Sequence, residues 1–314
     1  MSYAPRLSRR RFLQAGGLGL LGLTLTERSW TQAPQEKPLP PRAAPDSIDG
    51  PPLVSCRAWA IADGKSGRVL WGAHENEPLV MASTTKIMTA WLVLRLLAEH
   101  PKVLDETVVI SAAAAKVGGS SARIRAGDRY RAGDLLYGLL LPSGNDAAHA
   151  FAEHFGPRYR NGKEATPPVA AFVAGMNRQA GLLKMAQTRY FDPHGLGKNH
   201  TSAANLCTLA HTVMQNAEFR RYVQTRRHRC DVTDAKGQTR SVVWNNTNKL
   251  LDIEGYDGIK TGTTTAAGFC LVASGRRNND HLLAVVLGAT SNDSRYLDTR
   301  NLFRWAWRQR GHKT

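Results

Sequence analysis

Two hydrophobic rhythms divide the chain. Residues Val54 to Ala62 turn apolar, Asp63-Gly64-Lys65-Ser66-Gly67 supplies turn chemistry, and Arg68-Val69-Leu70-Trp71 resumes an extended pattern, which predicts a β-hairpin. From Thr84 to Leu97 apolar residues recur at helical spacing (Ile87, Trp91, Leu94), and Ala- and Leu-rich helices are expected to dominate to about Phe219. Strand signals return near the C-terminus. Gly258 to Thr263, Gly268 to Ala273 and His281 to Ala289 are apolar runs parted by Gly, Asn and Asp turns, the pattern of an antiparallel meander. An amphipathic helix, about Ser294 to Arg308, closes the chain. Strands at both ends of a helical middle imply one sheet assembled from distant segments, with an all-helical region, about 84–220, inserted between them.

The stretch before the hairpin follows neither rhythm. Ser8-Arg9-Arg10-Arg11-Phe12-Leu13-Gln14 precedes a short apolar run from Ala15 to Leu25, the layout of a twin-arginine export signal over residues 1–30. That run is too short for a bilayer, which needs roughly twenty residues. Residues 31–52 are rich in Pro and polar side chains and read as a linker, leaving 53–314 as the folded catalytic region.

With 314 residues and 42% hydrophobic content, the chain can bury a substantial core. The net charge of +17 suits an anionic partner but selects none, because Lys and Arg are scattered from Arg6 to Lys313. No zinc-finger spacing or aromatic-rich RNA-binding signature accompanies them, so nucleic acid is not an expected partner. The four cysteines, Cys56, Cys207, Cys230 and Cys270, form no CxxC pair or Cys/His ligand cluster in the sequence, and no metal is expected. In an oxidising compartment they allow three full disulfide pairings that the sequence does not rank.

Candidate chemistry lies in three short motifs. Ser83-Thr84-Thr85-Lys86 starts a helix, where positions i and i+3 share a face, so the Ser83 hydroxyl and Lys86 amine meet. A partly buried lysine near other cations loses its preference for the charged form, and its neutral amine can then take the serine proton. Ser143-Gly144-Asn145 follows the apolar run ended by Pro142, on a tight connection between two helices. There Ser143 is expected to relay a proton and Asn145 to bind a substrate amide. Lys260-Thr261-Gly262 lies within an extended run. Lys260 is expected to supply a fixed positive charge, and the missing side chain at Gly262 to let a substrate backbone approach. SxxK alone arises by chance about once in a chain of this length, and KTG in roughly a few per cent of such chains. The ordered trio, each in its helix, loop or strand context, is far more specific, and it is the recognised signature of penicillin-binding proteins and β-lactamases.

From about Val54 to Arg308 the chain resembles the low-molecular-mass D-alanyl-D-alanine carboxypeptidases, the peptidase S11 family. The likeness extends to Gly118-Gly119-Ser120-Ser121 with Ala126-Gly127-Asp128, to Leu139 through Ala148, to Asn246-Thr247-Asn248-Lys249-Leu250, and to Tyr256 through Thr264 followed by Ala267-Gly268. The resemblance implies an α+β, transpeptidase-like fold with a five-stranded antiparallel sheet flanked by helices. It also implies a serine carboxypeptidase that needs no cofactor. Ser83 would attack the bond between the two terminal D-alanines of a peptidoglycan stem peptide, with Lys86 as proton acceptor. Backbone N–H groups of Ser83 and Thr263 would form the oxyanion hole, and Lys260, Thr261 and Arg295 would hold the terminal carboxylate. β-Lactams would acylate the same serine. Many relatives continue into a β-rich domain and an amphipathic anchor, whereas this chain stops at Thr314, so no stable membrane anchor is expected and the protein reads as exported to the periplasm or envelope. A serine β-lactamase is disfavoured by the lack of a matching glutamate loop. An endopeptidase acting on wall crosslinks is closer kin, and an inactive peptidoglycan-binding module sits poorly with an intact Ser83 and Lys86.

Overall fold

The apolar run that opens the hairpin is buried on both faces, which explains why it does not alternate. Strand β1 (Ala58–Asp63) sends Ala58, Ala60 and Ala62 into one core and Trp59 and Ile61 into another. The structure is a computed structural model that describes residues 51–162 and 165–312. The expected export signal, and all but the last two residues of the expected linker, lie outside the described residues.

The main sheet pairs β1 with β2 (Val69–Ala73) on one side. Between them and the C-terminal strands lie β3 (Leu79–Val80), α1 (Lys86–Arg95), β4 (Thr107–Val109), α2 (Ala112–Ala115), β5 (Arg129–Arg131), α3 (Ala132–Leu140), α4 (Asn145–Phe155) and α5 (Pro168–Leu182). These are followed by β6 (His200–Thr201), α6 (Ala203–Met214), α7 (Ala217–Gln224), β7 (Arg227–Thr233) and β8 (Thr239–Asn245). The meander then runs as β9 (Tyr256–Thr264), β10 (Gly268–Arg277) and β11 (Asp280–Ala289), and α8 (Asn292–Gln309) ends the fold. The order β2-β1-β11-β10-β9 gives the expected five-stranded antiparallel sheet, closed by pairing the first strand with the last, Ala60 opposite Val285.

Helix α8 covers one face of this sheet. Its Leu302, Phe303 and Ala306 recur at helical spacing and pack on Leu271, Leu282, Ala284 and Val286. Trp305 meets Trp59 and Trp71 edge-on, with ring centroids 6.2 and 5.1 Å apart. Fully buried, Leu302 and Phe303 each contribute about 1.5–3 kcal/mol. Helices α1 and α6 fill the other face against Ala60, Val272, Val285 and Leu287.

The inserted region is not all-helical. It carries a four-stranded sheet, β4-β5-β7-β8, whose β7–β8 hairpin falls between the expected helices and the expected meander. Arg227-His-Arg-Cys-Asp-Val-Thr is mostly polar because one face is wet, with only Cys230 and Val232 buried, so it lacks the apolar signal of a strand. The turn signal Asp234-Ala-Lys-Gly237 was there to be read. All four cysteines are free thiols. Among the described residues no helix is long and apolar enough to cross a membrane.

Candidate active site

Ser83 stands in a single 3-10 turn, Ala82–Thr85, and the α-helix proper begins only at Lys86. In a 3-10 turn residues i and i+3 eclipse, which brings the pair closer to alignment than an α-helix would. Lys86 Nζ donates to Ser83 Oγ at 2.9 Å. The turn is pinned from below, as Thr84 Oγ1 donates to the Met81 carbonyl at 2.6 Å and Thr85 Oγ1 accepts from Asn199 Nδ2 at 3.1 Å.

The Lys86 amine is fully buried and its three donors are all placed, on Ser83 Oγ, on Asn145 Oδ1 at 2.7 Å and on the His194 carbonyl at 2.8 Å. Burial, reinforced by the nearby Lys260 charge, holds its pKa well below the usual lysine range, while the Asp192 and Asp146 carboxylates pull the other way. A lysine so placed gives up its proton more readily than a solvent-exposed one. That makes it a base within hydrogen-bond distance of a hydroxyl.

Asn145 makes contacts beyond the substrate amide expected of it. Its carbonyl oxygen holds Lys86 and its amide donates to the Gly118 carbonyl at 2.7 Å, so it positions the base and fixes the 118–122 segment beside it. Asp146 completes that attachment, accepting from Ser121 Oγ at 2.6 Å and from the Ala122 N–H at 2.9 Å. Ser143 lies just before, in the α3–α4 loop, with a left-handed backbone (φ 66°) unusual for serine. Its hydroxyl is buried and has no hydrogen-bond partner among the described residues, leaving it able to accept and pass on a proton.

Strand β9 forms the opposite wall. A Cβ at Gly262 would lie 3.0 Å from the Met81 carbonyl oxygen and from both the Ser83 and Thr84 nitrogens, so the absent side chain admits the turn that carries Ser83. Lys260, Thr261 and Gly262 are buried, and Thr263, next along the strand, is exposed at the rim. Thr261 Oγ1 pairs with Thr247 Oγ1 at 2.9 Å. The Lys260 charge is not fixed as expected. Burial, and then the Arg295 guanidinium nearby, bring its pKa down to about 7. Arg295 reaches over from α8 and donates to Thr263 Oγ1 at 2.9 Å and to the Gly262 carbonyl at 3.3 Å. Two buried cations thus sit behind the exposed end of β9.

The loop from Asp192 to Asn199 had no expected role. The Asp192 carboxylate accepts from the His194 N–H at 2.8 Å and the Gly197 N–H at 2.6 Å, and His194 Nδ1 stands 2.9 Å from it. Burial opposes ionisation there, yet the His194 hydrogen bond and charge, helped by the backbone N–H groups, keep this carboxyl well below the usual range. The loop is therefore rigid where it matters, at the His194 carbonyl that holds Lys86. Gly195 lies against the nucleophile's turn, where a Cβ would fall 2.0 Å from the Ala82 carbonyl oxygen. The cluster Asp-Pro-His-Gly-Leu-Gly announced a structured turn, but nothing in its spacing pointed to Lys86.

Asp134, His228 and Cys230 converge elsewhere, with donor atoms within 4.8 Å of one another, a grouping the sequence spacing did not show. His228 Nε2 lies 3.1 Å from Asp134 Oδ1, and burial pushes the Cys230 thiol up to about 12, which keeps it a thiol beside that contact.

Comparison with known proteins converges on one group. The sequence profile of the family described as D-alanyl-D-alanine carboxypeptidase, Peptidase S11, matches residues 46–291. A D-alanyl-D-alanine carboxypeptidase of Streptomyces sp. (strain K15) is 32% identical over 269 residues, covering 83% of this chain and 90% of that protein. The carboxypeptidase DacD of Escherichia coli (strain K12) is 32% identical over 270 residues, 81% of this chain and 64% of that longer protein. The crystal structure of the Streptomyces K15 DD-transpeptidase superposes with a TM-score of 0.76 at 30% identity, covering 82% of this chain and 99% of that one.

Proposed function

The chain belongs to the D-alanyl-D-alanine carboxypeptidase family, peptidase S11, and from that premise we propose that it removes the terminal D-alanine from peptidoglycan stem peptides through an acyl-enzyme on Ser83. The observation that carries this reading is the buried Lys86 amine 2.9 Å from the Ser83 hydroxyl, beside a strand backed by Lys260 and Arg295. Those two cations suit a substrate with a free terminal carboxylate, the feature that separates a carboxypeptidase from an enzyme that cuts internal bonds.

In this mechanism Ser83 Oγ attacks the penultimate D-alanine carbonyl carbon and its proton passes to the neutral Lys86 amine. The N–H groups of Ser83 and Thr263, flanking the close contact at Gly262, receive the negative charge that builds on the carbonyl oxygen. Ser143 relays the proton to the departing nitrogen, the C–N bond breaks and D-alanine leaves. Water then attacks the ester, giving up its proton to Lys86, and Ser83 regains its hydrogen as the shortened peptide departs. A β-lactam enters by the same first step, and its acyl-enzyme persists where deacylation is slow.

The test is to offer the protein a soluble pentapeptide ending in D-Ala-D-Ala and, separately, a crosslinked dimer. Free D-alanine from the pentapeptide is the expected product; cleavage of the dimer alone would transfer the assignment to an endopeptidase.

The two lysines also set a pH dependence. Lys86 must be neutral to act as base, so acylation rises with pH through its depressed pKa. Lys260 must be charged to hold a carboxylate, so affinity falls as pH rises through about 7 in the free protein. A bell-shaped kcat/KM is expected, and Lys260→Arg, which stays charged, should extend its alkaline side. An unchanged alkaline limb in that variant would remove Lys260 from carboxylate binding.

A further inference from the structure

Outside the catalytic cleft, three cavities share lining residues and so join into one furrow. The first, about 470 Å³, is bounded by Arg226, Arg227 and Lys249 together with Asn246 and Asn248. Lys249 continues into a second, about 270 Å³, where Ile253, Leu297 and Arg300 form the walls. Ile253 and Arg300 continue into a third, about 190 Å³, closed by Arg276, Arg277 and Arg304.

Seven cationic side chains therefore line the furrow, against three acidic ones, Asp252, Asp293 and Glu254, and one of the seven, Arg276, is paired with Asp257 at 2.8 Å. Of these acids, Asp252 pairs with Arg226 and Asp293 stands 4.0 Å from Lys249, both at exposed positions where water and salt screen the attraction. The third cavity has an aromatic base, with the Arg277 guanidinium 4.8 Å above the Trp307 ring. Leu297 and Ile253 remain 55% and 36% exposed between the cations. The first cavity begins beside the catalytic strand, because Thr247, between its Asn246 and Asn248, bonds Thr261.

We propose that this furrow is a binding site for a linear polyanion, an extended chain bearing phosphate or carboxylate groups at intervals, running up to the catalytic cleft. A line of cations with aromatic and aliphatic spacers matches a chain that alternates charge with neutral units. The site does not depend on the catalytic reading, since none of its cations takes part in acylation.

The experiment titrates the full chain into fluorescently labelled linear polyphosphate, and in parallel poly-L-glutamate, over a series of salt concentrations. Binding to either polymer is expected, with affinity falling linearly on log–log axes against salt. The double variant R300E/R304E should bind about tenfold more weakly or worse, with the salt slope shallower by about 1.4, and R226E/R227E at the far end should behave alike. Both should form the penicillin adduct at the wild-type rate, which certifies their fold. The control K65E/K102E makes the same change in net charge at exposed lysines outside the furrow and should stay within about twofold of wild type. Equal losses in control and furrow variants would overturn the proposal, as would no binding to either polymer, or binding only to vesicles of anionic phospholipid.

Discussion

Ser83→Ala is expected to give a folded protein that forms no covalent adduct with a labelled penicillin and turns over peptide about 10⁴-fold or more slowly. Only the hydroxyl group is lost, and the one buried partner it leaves is a single N–H of Lys86. Lys86 keeps two of its three acceptors, on Asn145 and His194, and the 3-10 turn keeps the Thr84 and Thr85 bonds that shape it. Thermal unfolding should therefore be close to wild type while the adduct vanishes from a denaturing gel. An adduct that survives the substitution would mean that the nucleophile lies elsewhere.

Lys86→Met carries the second large effect, and its physics is different. Methionine matches the unbranched stem but strips the amine from a fully buried position, orphaning Asn145 Oδ1 and the His194 carbonyl. Leaving two acceptors unpaired costs about 1–3 kcal/mol each, and relief from burying a cationic group offsets much of this, so the fold is expected to survive. Acylation should slow by about 10²–10⁴-fold, the usual worth of a positioned base. The diagnostic feature is the pH profile, in which the acid limb assigned to Lys86 should disappear from the rate constant for penicillin acylation measured by stopped flow. A slowed reaction that kept its acid limb would make Lys86 a packing residue and place the base elsewhere.

The parts that could be read along the chain were those in which local chemistry and final position coincide. The β1–β2 hairpin, the C-terminal meander and the final amphipathic helix each bury an apolar pattern that their own residues display, and each was found where its pattern lies. The Ser83–Lys86 contact was legible because the two residues are three apart on one turn. The β7–β8 hairpin was not, since an edge sheet with one wet face carries few apolar positions. Nor was the duty of Asn145, which is set by a lysine 59 residues away and a carbonyl 27 residues away.

The sequence by itself determined the chemical inventory: a serine with a lysine at i+3, a second serine and amide on a sharp turn, and a lysine-threonine-glycine run on a strand. The tertiary structure decided what each would do, because burial, depth and mutual distance belong to no local segment. It set Gly262 as the contact that seats β9 against the turn of Ser83, and it recruited the Asp192–Asn199 loop to hold Lys86. It also brought Arg295 from the last helix onto Thr263, and buried Lys86 and Lys260 where desolvation, with the Lys260 charge acting on Lys86 and the Arg295 charge on Lys260, lowers the pKa of both lysines. Those mutual electrostatic effects scale with distance and desolvation, and only the folded chain has values for either.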